Sequence, residues 1–135
     1  EIYVTGTAND KGTNSLYDKY FVIYNNSSET VYADGVALLE STFGTTEKHQ
    51  YNDNPQPMTT TFTAAAIYVI PGNGTEHPLA PGEQLVLADQ GYDFTQTKAD
   101  AIDLSIADFE WYDETEKGMD PDIAEVPNLD KWYSY

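Results

Sequence analysis

The chain has 135 residues, no cysteine and no arginine, and its 6 lysines stand against 23 acidic residues for a formal net charge of −17. That length suits one domain with an ordinary hydrophobic core, and the missing cysteine excludes disulfides, thiol nucleophiles and thiolate metal sites. So negative a surface repels phosphate backbones, and no apolar run is long enough to span a bilayer, so the reading is no nucleic-acid partner and no direct membrane insertion.

Ile2-Tyr3-Val4-Thr5 reads as a first strand, followed by a Gly-, Asn- and Thr-rich loop from Gly6 to Ser15. Tyr20-Phe21-Val22-Ile23-Tyr24 is an unbroken β-branched and aromatic run, which predicts a central strand that seeds the core. Asn25 to Ser28 turns the chain, because each of these side chains can bond nearby backbone. Val31-Tyr32 forms a short strand, Asp34-Gly35 marks a second reversal, and Val36, Leu38 and Leu39 lie on the strand after it. Ser41 to Thr61 is polar and long for a loop, and is read as a crossover between sheets or a functional segment.

Thr60 to Ala66 has room for one helical turn before a strand at Ile67-Tyr68-Val69-Ile70, which Pro71-Gly72 ends. Turns at Asn73-Gly74 and Pro81-Gly82 bracket Glu76-His77-Pro78-Leu79. Glu83 to Asp89 is a strand in which Leu85 and Leu87 alternate with Gln84, Val86 and Ala88. Ile102, Leu104 and Ile106 alternate with Asp103, Ser105 and Ala107, predicting another half-buried strand. From about residue 111 the chain is acidic, and Trp111, Tyr112, Met119, Ile123, Val126 and Leu129 follow no period. This predicts an irregular acidic segment over about 111–135, attached to a core of about 1–110. Short strands with turn punctuation and no long helix make the fold all-β, an antiparallel β-sandwich in one domain. A start directly on a strand and an end among aromatic residues suggest a portion of a longer protein.

Asp18, Tyr20, Ile23, Tyr24, Asn25, Val31, Asp34 and Gly35 form a pattern that resembles the signature of lamin-tail domains, which are small immunoglobulin-like sandwiches. Leu79-Ala80-Pro81-Gly82 and the strand after it look like the later turn of that family. Val22 departs from the pattern, standing where the family often carries a solvent-facing acidic residue. Its presence implies that this face of the strand is covered, with Ser41–Thr61 as the candidate cover. With AAAIYVIPGNGTEHPLAPGEQLVLADQ and DFEWYDE, the chain is more similar to a bacterial branch of secreted, lipid-anchored surface proteins of unknown function. The resemblance implies an immunoglobulin-like fold of the lamin-tail type, an extracellular or outer-membrane surface location, anchoring through a region outside this chain, and no catalytic residues.

Several clusters carry chemistry in principle. Asp113, Glu114, Glu116, Asp120 and Asp122 supply the oxygens a calcium ion wants, although the spacing is not that of an EF-hand loop. The same carboxylates would serve a hydrolase if burial split their pKa values. His49 and His77 would hold zinc only if folding brought them together with Glu76 or Asp53. Trp111, Tyr112, Trp132 and Tyr133 offer broad apolar faces with polar tips, suited to protein contacts and sugar stacking alike. The reading is therefore a non-enzymatic binding, assembly or scaffold module without a required cofactor. Its partner is a protein or another domain of the same envelope protein. The alternatives are a carbohydrate-binding accessory domain in nutrient capture and, more remotely, a carboxylate-dependent hydrolase.

Overall fold

The computed structural model describes residues 1–44, 46–48, 61–114 and 120–134. Among them run nine strands: β1 (Ile2–Tyr3), β2 (Tyr20–Tyr24), β3 (Val31–Tyr32), β4 (Ala37–Ser41), β5 (Ala64–Val69), β6 (Pro78–Leu79), β7 (Gln84–Ala88), β8 (Phe109–Glu110) and β9 (Asp130–Ser134). One sheet has the order β1-β2-β7-β8, a second β4-β5-β9, and β3 pairs with β6 in a ribbon. Every pairing is antiparallel except that of β7 with β8.

The unbroken apolar run of β2 is explained by cover on both faces. Phe21 lies opposite Leu87, and Ile23 opposite Leu85. These four join Tyr68, Ile70, Phe109 and Leu129 in a cluster that also takes Leu38 and Ala66 of the second sheet. That contact makes the molecule a β-sandwich. On the reverse face Tyr20, Val86 and Ala88 pack with Leu104, Ala107 and Val126, so the cover implied by Val22 is supplied by the C-terminal half. The candidate cover Ser41–Thr61 lies mostly outside the described residues. Tyr20 to Ile23 are nevertheless only half-buried and Tyr24 is exposed, which corrects the expectation that they seed the core. Their sheet neighbour β1 is two residues long and shields little, whereas Ile70, Leu87 and Leu104 are fully enclosed.

Three other expectations change. Ala64 to Ala66 extend β5 rather than making a helical turn, because β5 is the middle strand and Ala66 is paired on both sides, with Glu40 and Ser134; pairing overrides alanine's helix preference. Ile102 to Ala107 is a single bridge at Asp103 followed by a turn at Ser105 and Ile106, not a continuous strand. Pairing is limited to one antiparallel bridge of Asp103 with Asp93, flanked by Phe94 N–H to Ile102 O and Leu104 N–H to Tyr92 O; beyond it Asp103 Oδ1 accepts the N–H and the hydroxyl of Ser105 at 3.0 and 2.6 Å and the Ala107 N–H donates to Leu104 O, so local bonds end the ladder. The alternation still marks Leu104 as buried, while Ile106 points to water. The acidic segment is irregular over 111–114 and 120–129, and then becomes strand β9.

Glu110 clasps that segment to the first sheet. Its buried carboxylate accepts the N–H of Gly91 at 2.7 Å and that of Ile123 at 2.8 Å. Its own N–H reaches Pro127 O and its carbonyl accepts from Leu129. Burial raises its pKa, opposed by those two N–H bonds and reinforced by the charges of Asp122 and Asp120. Gly91 must be glycine: a Cβ there would stand 2.4 Å from Val126 Cγ2.

Candidate functional site

The two sheets do not close along their whole length. Between them opens a cleft of about 780 Å³ walled by Val4, Leu16, Phe21, Leu38, Leu39, Ala66, Tyr68 and Trp111, with Glu40, Asp89, Asp113, Asp120 and Lys19 among the polar lining groups. Among the described residues each sheet contributes an edge strand, β1 on one side and β4 on the other, and residues on or beside both line the opening. Trp111 follows β8 directly, where its N–H donates to Ala88 O, and its ring meets Phe21 with centroids 5.5 Å apart at 57°. An indole and a phenyl ring in mutual contact are therefore part of the cleft lining.

Beside them sits a charged network. Lys131, on β9, places its ammonium 2.8 Å from Asp113 Oδ1 and 2.9 Å from Glu114 Oε2. Tyr68 O–H donates to Asp113 Oδ2 at 3.4 Å, and the Asp113 N–H donates to Asp120 Oδ2 at 2.6 Å. Asp113 is buried and Glu114 exposed. Hydrogen bonds to Asp113 and then Glu114 hold the Lys131 pKa above its ordinary value, and the bond to Lys131 holds Glu114 below its own. Lys19 pairs with Asp89 at 3.7 Å.

Of the five carboxylates considered for calcium, Asp113, Glu114 and Asp120 are brought together, and the ammonium of Lys131 stands between the first two where a cation would bind. Asp122 instead accepts from Asn128 Nδ2 at 2.9 Å. Glu116 lies outside the described residues, as do His49 and Asp53. His77 and Glu76 come together with Asp34, their ligand atoms all within 4.8 Å of one another. Asp34 is already engaged: Oδ1 accepts the N–H of Gly74 and of Glu76, and Oδ2 that of His77. The bonds from His77, Glu76 and Gly74 outweigh desolvation and keep its pKa low. The group closes the 72–77 turn, and a Cβ at Gly72 would fall 2.0 Å from Asp34 Oδ1.

The four aromatic candidates divide. Trp111 and Tyr112 are half-buried, and Trp111 belongs to the cleft. Trp132 is 71% exposed and Tyr133 47%. In the β5–β9 ladder Ile67 faces Tyr133 and Tyr68 faces Lys131, which leaves Trp132 as the extra residue of a bulge. Cross-strand partners share a face, so the bulge turns Lys131 inward and leaves Trp132 and Tyr133, though adjacent in sequence, both open to solvent. Sequence reasoning missed Lys131 and Phe21 as site residues. Phe21 carried only its strand signal, and the inward turn of Lys131 depends on the bulge, which no residue pattern announces.

The fold and the cleft define an all-β sandwich module whose cleft is lined by aromatic and acidic side chains. Residues 80–135 match the model of a family described as a protein of unknown function, DUF4876. The whole chain is similar to the crystal structure of a DUF4876 family protein from Bacteroides thetaiotaomicron VPI-5482, with 26% sequence identity and a TM-score of 0.76. That match covers 99% of this chain and 34% of the other, so the chain spans about a third of that protein's length. No curated protein matches the chain.

Proposed function

We propose that this chain is a non-catalytic binding module of the lamin-tail type, displayed on the outer surface of a bacterial envelope by a lipid-anchored protein, and that the cleft between the sheets receives a protein partner. The observation that carries the reading is the combination in the cleft lining of the half-buried Phe21 and Trp111 rings with acids already engaged in the fold. Asp113 and Asp120 both line the cleft and Asp113 is buried, the arrangement a carboxylate hydrolase would need. Asp113, however, is already held by the Lys131 ammonium at 2.8 Å and by the Tyr68 hydroxyl, which supports a structural role for it. Among the described residues no helix is long and apolar enough to cross a membrane.

The test is site-directed photo-crosslinking on intact cells that carry the full-length protein, with benzoylphenylalanine at Leu16 on the cleft rim and at exposed Lys11 as control. The expected result is a protein adduct at Leu16 only, lost in Trp111→Ala. Adducts at neither position, or turnover of chromogenic glycosides or esters abolished by Asp113→Asn, would end the reading. A carbohydrate-binding accessory domain is the second reading, favoured by the adjacent exposed rings of Trp132 and Tyr133. A polysaccharide adduct, with glycan-array signal removed by Trp132→Ala, would support it instead.

A further inference from the structure

The turn that Asp34 closes has coordinating capacity to spare. The β3–β6 ribbon pairs Val31 with Leu79 and Tyr32 with Pro78, and the Ala33 N–H extends that ladder one step to His77 O. The step sets Asp34 beside Glu76 and His77, more than forty positions on, and Gly72 lets it approach by having no Cβ. One ligand atom from each of the three then lies within 4.8 Å of the other two. The N–H groups of Gly74, Glu76 and His77 take three of the roughly four acceptor sites of the Asp34 carboxylate, which leaves one on Oδ2. Asn73 Nδ2 donates to Glu76 Oε1 at 2.6 Å, which orients that carboxylate and leaves Oε2 to spare. The His77 ring is half-buried and set edge-on to Phe109, with centroids 5.0 Å apart at 84°. Among the described residues its nitrogens bond to no other group, and no ammonium pairs with Asp34 or Glu76. The acids around Asp113 have Lys131 in the place of a cation; this group has two carboxylates, an imidazole and no cation of the chain's own.

We propose that Asp34, Glu76 and His77 bind one zinc ion. Imidazole nitrogen and carboxylate oxygen are both zinc ligands, and three protein groups with a fourth position left to water complete its tetrahedron. Bonds of about 2.0–2.2 Å place tetrahedral ligands roughly 3.4 Å apart, so the group has to close by about 1.5 Å, which rotation of the exposed Glu76 side chain supplies. The bonds around Asp34, Asn73 on Glu76 and Phe109 against His77 hold the ligands in place before the ion arrives. Calcium wants six to eight oxygens, which this group does not offer. None of the three residues lines the cleft, so the site is separate from the binding-module reading.

The test titrates zinc chloride and, separately, calcium chloride into untagged, EDTA-stripped protein by isothermal calorimetry. One zinc per chain is expected, with calcium at least about a hundredfold weaker. His77→Phe keeps a ring against Phe109 but removes the ligand nitrogens, and should weaken zinc at least about tenfold, as should Glu76→Gln at its exposed position. Asn73→Ala removes only the bond that orients Glu76 and should cost several-fold. Glu125→Gln and His49→Ala remove the same kinds of group elsewhere in the chain and should change nothing. Saturating zinc should raise the melting temperature of the parent and leave that of His77→Phe where it was. Circular dichroism checks the fold of each variant, and if His77→Phe does not fold, Glu76→Gln carries the comparison. Zinc binding that survives both His77→Phe and Glu76→Gln overturns the proposal, and so does the absence of zinc binding. Equal weakening by Glu125→Gln, or calcium as tight as zinc, also overturns it, since either would reduce the attraction to diffuse acidity.

Discussion

Gly91→Ala tests how the C-terminal segment is fastened to the first sheet. The added methyl would lie 2.4 Å from Val126 Cγ2 and 2.7 Å from its Cβ, more than about 1 Å short of ordinary carbon contact. Val126 is buried with Ala88 and Leu104 and has little room to yield, so overpacking should cost about 2 kcal/mol. Val126→Ala alone deletes two buried methyl groups and should cost about 2 kcal/mol in lost burial and residual cavity. The double variant puts the new methyl into the space the valine vacates, so its loss should be about 1.5 kcal/mol rather than the roughly 4 of the sum, a coupling of about 2.5 kcal/mol. Equilibrium urea unfolding followed by circular dichroism measures all four proteins, with an unchanged m-value as the check that only stability moved. A double variant whose loss lies within about 0.5 kcal/mol of the sum would refute direct packing of Gly91 on Val126.

Asn25→Ala should cost about 2–4 kcal/mol, because buried Asn25 donates to Glu29 O and Leu79 O and accepts from Ser27; a loss under about 1 kcal/mol in urea titrations would contradict that bonding. The pKa of Asp34 is held low by backbone N–H groups, so its stabilising effect is present above the ordinary aspartate pKa and fades as pH falls through the lowered value. Asp34→Ala should therefore melt well below the parent at pH 7, and the gap should narrow below about pH 4; a gap independent of pH in thermal melts would refute this. Trp132→Ala should change stability by less than about 0.5 kcal/mol, since the ring stands in solvent on the bulge, and a large loss in the same unfolding assay would show that the ring is packed.

The strand positions were legible where side-chain chemistry and backbone pairing agree. Tyr20–Tyr24, Gln84–Ala88 and the Leu85/Leu87 alternation carry their own β signal, and the turn at Asn25 is bonded by the residue that predicts it. The polar positions of the lamin-tail-like pattern have local explanations too: Asp18 accepts the Thr7 N–H, Asn25 ties β2 to β6, and Asp34 closes the 72–77 turn. Ile102–Ala107 misled because a period of two over six residues cannot register the competing side-chain bonds of Asp103. The clasp at Glu110 and the inward turn of Lys131 were illegible, since both depend on partners 13 to 19 positions away and, for Lys131, on a bulge. Excess acid in the sequence suggested a metal; only the coordinates reveal that a lysine of the same chain stands among those carboxylates.

The pairing of β5 with β9 sets an order on how the molecule can come into being. Tyr68 and Val69 find their second ladder partners only at Lys131 and Asp130, so emergence of the chain in synthesis leaves β4 and β5 as an unfinished ribbon until residues 130–134 have been delivered. Closing so long a loop is entropically slow and leaves an apolar edge unprotected meanwhile. The middle strand of the second sheet is thus completed by residues more than sixty positions downstream of those that begin it, a long-range closure on which the sandwich depends.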